Sequence, residues 1–119
     1  MLVIDLNECD EFMAGDGSLL RQLLHPDNTQ VSCRYSLCHA TVKPGQATRS
    51  HRLRTSEVYY ILGGQGLISI DGESQPVRPG QAVYIPPHSI QYIQNTGDSY
   101  LTFLCIVDPA WRAEDEEVL

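Results

Sequence analysis

From residue 31 to residue 108, glycine, proline and asparagine cut the chain into short intervals rich in β-branched and aromatic residues. Intervals this brief are too short for amphipathic helices, and their composition suits pleated strands. Residues 31–42 stop at Pro44-Gly45, and residues 57–62 run into Gly63-Gly64 and Gly66. Residues 67–70 lead into Asp71-Gly72, a dipeptide that tolerates positive φ at both positions and therefore closes a tight hairpin. Pro79-Gly80, Pro86-Pro87 and Asn95-Thr96-Gly97 separate the intervals 82–85, 90–94 and 100–107. Asp108-Pro109 ends the last one, because proline cannot continue a ladder. Many short strands divided by turns predict an all-β sandwich or barrel.

The first thirty residues are less regular. Leu2-Val3-Ile4 reads as a short strand, and residues 10–18 read as a loop around Gly15-Asp16-Gly17. Leu19, Leu20, Leu23 and Leu24 recur at helical spacing behind Ser18, an N-cap type, yet the same segment suits a strand entering the barrel. The chain therefore divides into an N-terminal segment (1–30) packing on a barrel (31–108), followed by an acidic tail (109–119). A short helical turn is expected near Trp111. At 119 residues one core suffices.

Charge and hydropathy exclude several classes. No run reaches the roughly 20 apolar residues of a membrane span, and the N-terminus lacks the pattern of a secretion signal, so a cytoplasmic protein is expected. The net charge of −7 argues against nucleic acid, which is bound through clustered Lys and Arg. Glu114-Asp115-Glu116-Glu117 carries much of that charge and reads as a solvated terminus. Cys9, Cys33, Cys38 and Cys105 match no zinc or Cys-x-x-Cys spacing and read as reduced, mostly buried thiols.

Two stretches resemble the paired motifs of the cupin superfamily. Gly45, five residues, His51-Arg52-Leu53, three residues, Glu57, six residues and Gly64 follow the first. Gly80, five residues, Pro86, then His88, Gln91 and Asn95 follow the second, with His88 at an inner glycine position and Gln91 at a histidine position. The phrases at 51–53, 57–62 and 103–111 are similar to small single-domain cupins often labelled mannose-6-phosphate isomerase-like. The resemblance implies a double-stranded β-helix, a jelly-roll barrel, with a divalent metal inside it. Carried over by position, the ligands are His51, Leu53, Glu57 and Gln91. Leucine binds no metal, so His51, Glu57 and Gln91 remain as the expected set for zinc, nickel, iron or manganese. The other reading of the same residues is a metal-free trio that satisfies its own hydrogen bonds.

Tyr59 shares strand parity with Glu57, so these two are the expected proton-handling pair, although Tyr59 also suits plain core. Tyr84 and Tyr92 are weaker candidates of the same kind. His88 reads as a turn residue near the rim, and His25 and His39 as structural or exposed. Arg49, Arg52 and Arg54 flank His51 and suit either a solvated loop or attraction of an anionic ligand; the first is preferred. The expected function is a metal-dependent, isomerase-like cupin, with oxygenase chemistry less favoured. Its ligand is a sugar, sugar phosphate or organic acid; the alternative is a non-catalytic binder without tightly held metal. Apolar residues on both faces of 57–62 predict a homodimer.

Overall fold

The computed structural model describes every residue except Thr29. Among the described residues eleven strands form two antiparallel sheets, with only short 3-10 turns at Leu6–Glu8 and Ala113–Asp115. In chain order the strands are β1 (Glu11–Met13), β2 (Leu19–Leu24), β3 (Ser36–Val42), β4 (His51–Leu53), β5 (Ser56–Gly63), β6 (Gly66–Ile70), β7 (Glu73–Val77), β8 (Ala82–Ile85), β9 (Gln91–Asn95), β10 (Leu101–Asp108) and β11 (Glu116–Val118). One sheet runs β1-β2-β3-β10-β5-β8 and the other β11-β4-β9-β6-β7. The chain is thus the double-stranded β-helix that the motifs imply. No helix among the described residues is long and apolar enough to cross a membrane.

Alternation decides which side chains enter the barrel. On β5, Glu57, Tyr59 and Ile61 are buried while Tyr60 and Leu62 are exposed. On β10, Leu101, Phe103, Cys105 and Val107 point the same way. The Tyr59 and Phe103 rings pack at 4.4 Å between centroids, inside a core shared by both sheets. Turn chemistry fixes the registers. Asp71 (φ 49°) and Gly72 (φ 85°) close the β6–β7 hairpin. Gly64 adopts φ 82°, and a Cβ there would lie 2.5 Å from the Tyr100 carbonyl oxygen, so only glycine fits this crossing. Pro76 sits in β7, which is an edge strand and needs no donor on its outer side.

The structure corrects several expectations. Leu2-Val3-Ile4 forms no strand; Leu2 and Val3 stay exposed. Residues 11–13 of the expected loop pair with β2 as β1. Residues 19–24 settle as strand rather than helix, because β3 offers them a partner edge. Residues 31–35 are not strand, and β3 begins at Ser36. The acidic run is not wholly a solvated terminus. Glu116–Val118 pairs with His51–Leu53 as β11, so the ladder, not hydration, decides its conformation.

Candidate functional site

The two sheets bring the expected residues toward one another from separate strands. β5 supplies Glu57 and Tyr59, two residues apart on its inner face. β9 supplies Gln91, whose direct partner across the β4–β9 ladder is His51. Gln91, 1% exposed, links the sheets: its Oε1 accepts from the Tyr59 hydroxyl at 3.0 Å, and its Nε2 donates to Glu57 Oε1 at 2.9 Å. This satisfies a buried tyrosine, amide and carboxyl in one chain, as burial demands.

His51 looks elsewhere. Its Nδ1 lies 2.7 Å from the Arg49 carbonyl, which can only accept, so Nδ1 carries the proton. Its Nε2 stands 3.6 Å from Asp16 Oδ2, a residue that motif reading did not select. Asp16 is held in place by Ser18, whose backbone N–H and hydroxyl both donate to Oδ1 at 2.9 and 2.6 Å. The Asp16 carbonyl accepts from Arg49 N–H at 2.7 Å and ties this loop to the approach to β4. In sequence Asp16-Gly17-Ser18 is indistinguishable from an ordinary turn, which is why its role is not legible there.

A cavity of about 230 Å³ opens beside this chain. Phe12, Leu20, Leu53, Phe103, Val107 and Trp111 give it an apolar body. Asp16, Glu57 and Glu116 give it carboxyl groups, and Ser18, Gln22, Ser36, Tyr59, Cys38 and Cys105 complete the polar part. Leu53, at the position of the missing motif histidine, is therefore cavity wall. Glu116 comes from β11 and accepts from the Trp111 indole N–H at 2.7 Å. No arginine, lysine or histidine lines the cavity among the described residues, and Gln91 meets it only through its bonds to Tyr59 and Glu57. Arg52 is paired outward with Glu117 at 2.7 Å, and the Arg54 backbone N–H donates to Asp115. The histidines outside the motif take other places: His25 is buried, His88 sits in a turn at φ 67°, and His39 is half-buried on β3. Tyr84 is exposed and Tyr92 half-buried, so neither reaches the cavity wall.

Electrostatics follow from this lining. Burial pushes the Glu57 carboxyl up to about 8; the Gln91 hydrogen bond opposes the shift, and the charges of Asp16 and Glu116 add to it. Glu57 is therefore a neutral acid at pH 7. Because Oε1 accepts from Gln91, the proton belongs on Oε2. Burial, with the Glu57 charge, also holds Tyr59 well above the ordinary phenol value. Burial raises the Cys38 thiol to about 11, with Glu57 adding to it.

The arrangement does not fit a resident divalent ion. Gln91 Oε1, the ligating atom of that amide, is spent on Tyr59, and its Nε2 points at Glu57. Among the described residues, no three His, Cys, Asp or Glu side chains are placed to share one metal. An ion held by His51, Glu57 and Gln91 would require the Tyr59–Gln91 link to open.

A jelly-roll with a small pocket between its two sheets defines a class of small-molecule-binding barrels. The family model described as a cupin domain matches residues 38–107, and the chain belongs to the cupin family. It is 41% identical over 109 residues to an uncharacterised protein of Methanocaldococcus jannaschii, covering 91% of this chain and 86% of that one. It is 25% identical to the L-ectoine synthase of Vibrio parahaemolyticus, over 92% of this chain and 86% of that one. An oxalate-binding protein of Thermotoga maritima is 31% identical over 54% of each chain. Among solved structures, a predicted oxalate decarboxylase from Thermotoga maritima superposes with a TM-score of 0.78 at 22% identity, covering 91% of this chain and 99% of that chain. That likeness shows the fold alone. The chain is a small cupin related to oxalate-binding and ectoine-forming members.

Proposed function

We propose that this cupin binds a compact, uncharged or positively charged polar molecule, such as a polyol or an amine, without a resident metal. One observation carries the reading: three carboxyl groups and no cationic side chain line the cavity among the described residues. An anion entering it would meet Asp16 and Glu116 with nothing to offset its desolvation. Sugar phosphates and organic acids, oxalate included, are thus disfavoured, while an uncharged sugar-like ligand suits the site. Glu57 would donate from Oε2 to a ligand oxygen, with Gln91 and Tyr59 holding its orientation. An isomerase-like step needs Glu57 as a base, and it becomes one only as pH rises through about 8.

Two measurements test the proposal on protein purified without chelator. Metal analysis is expected to find far less than one ion per chain. A thermal-shift screen of polyols, amines and carboxylates is expected to show stabilisation by the first two classes only. Stoichiometric metal, or stabilisation by carboxylates alone, would overturn it and restore the His51, Glu57 and Gln91 metal reading.

We further propose that the outer face of the larger sheet packs against a second copy of the chain. The cross-strand row Leu37–Ile106–Val58–Tyr84 and its neighbours Leu104, Tyr60 and Ala82 carry no charge. Tyr60, Tyr84 and Ile106 are exposed there. For a chain of net charge −7, two copies meet with least repulsion across such a neutral face. Light scattering at micromolar concentration should give twice the chain mass, and Tyr60→Lys should halve it; a monomeric wild type refutes the pairing.

A further inference from the structure

Two cysteines stand directly opposite one another inside the barrel. Cys38 on β3 and Cys105 on β10 are Cα partners in the antiparallel ladder, in a row that continues to Gln22 on one side and Tyr59 on the other. Directly opposed residues share a sheet face, and both cysteines line the cavity. Opposed Cα atoms in an antiparallel pair lie roughly 4.5–5.5 Å apart, within the roughly 4.4–6.8 Å that a disulfide spans. All four cysteines are free thiols here.

We infer that Cys38 and Cys105 form an oxidisable dithiol in the cavity wall, which a small hydroperoxide entering the cavity converts to a cross-strand disulfide. The chemistry balances. The less buried sulfur, Cys38, attacks the peroxide as the thiolate that burial confines to alkaline pH, the O–O bond breaks, a sulfenic acid forms and the peroxide leaves as an alcohol, or as water from hydrogen peroxide. The second sulfur then displaces the sulfenic oxygen, which departs as water with the thiol proton, and the S–S bond forms. The pair loses two electrons and two protons, and the peroxide gains them. The barrel suits the product, because a disulfide is uncharged and the apolar wall that penalises a thiolate does not penalise it. Since Cys105 is also the cross-strand partner of Tyr59, the bond would stiffen the wall beside Glu57. The inference does not depend on which ligand the cavity takes.

The rival partner is Cys9, half-buried ahead of β1 and near enough to Cys38 to influence it electrostatically. The test therefore uses both the wild-type chain and the C9S/C33S double variant, each treated with hydrogen peroxide at alkaline pH, where the Cys38 thiolate forms, then alkylated, digested without reduction and mapped by mass. In both proteins the expected result is loss of two alkylatable thiols, a mass lower by two hydrogens, and linked peptides containing Cys38 and Cys105. Reduction should restore both thiols. Independent oxidation of the two sulfurs to sulfinic acids, a Cys9–Cys38 link in the wild type, or two unreacted thiols in the double variant would each overturn the inference.

Discussion

Replacing Glu57 with glutamine isolates the cost of burying an acid. In the folded chain Glu57 holds its proton up to about pH 8, against an ordinary value of 4.5. Between these values the native state binds more protons than the unfolded state. Stability therefore falls as pH rises through the window, and the slope vanishes once pH passes the folded value. At about 1.4 kcal/mol for each pH unit, the wild type is expected to lose on the order of 3 to 4 kcal/mol between pH 5 and pH 8.5. Glu57→Gln keeps an acceptor for Gln91 and cannot ionise, so its curve lacks this slope. The variant should match the wild type near pH 5 and exceed it by most of that amount at pH 8.5. His39, whose value burial lowers, contributes the opposite trend in both proteins and cancels in the comparison. The Cys38 thiol titrates near 11, above the window. Urea titrations followed by Trp111 fluorescence at closely spaced pH values measure the difference. Parallel wild-type and variant curves would refute a neutral Glu57, and with it the role of the cavity as a protonated site.

Two further outcomes test the supports of that carboxyl. Gln91→Leu leaves the Tyr59 hydroxyl and Glu57 Oε1 without their partner, so equilibrium unfolding should show a loss of about 2 to 5 kcal/mol, well beyond that of an exposed glutamine. Ending the chain at Asp115 removes β11 and the Glu116 acceptor of the Trp111 indole. Emission from Trp111 should then shift to longer wavelength and the melting temperature should fall; unchanged spectra would show that β11 does not cover the cavity.

The barrel was readable because its signals are local. Asp71-Gly72, Gly64 and Pro109 act within a few residues, and alternation along 57–62 needs no knowledge of neighbouring strands. Motif spacing picked out His51, Glu57 and Gln91, and strand parity with Glu57 added Tyr59. Which of them touch is a different matter. Gln91 binds Tyr59 and Glu57 across the gap between two sheets, whereas His51, its ladder partner, turns toward Asp16. Asp16 itself lies in what looks like a plain turn, and Glu116 in what looks like a solvated acidic run. Glu116 reaches the cavity through a pairing between segments far apart in the chain, β11 with β4, and Asp16 through the bond that ties its loop to the distant Arg49. Side-chain type and strand parity are properties of short stretches, so composition and spacing determine them. The charge of the cavity, the protonation of Glu57 and the opposition of Cys38 to Cys105 depend on which distant strands become neighbours and on how much water they exclude, and only the tertiary structure decides that.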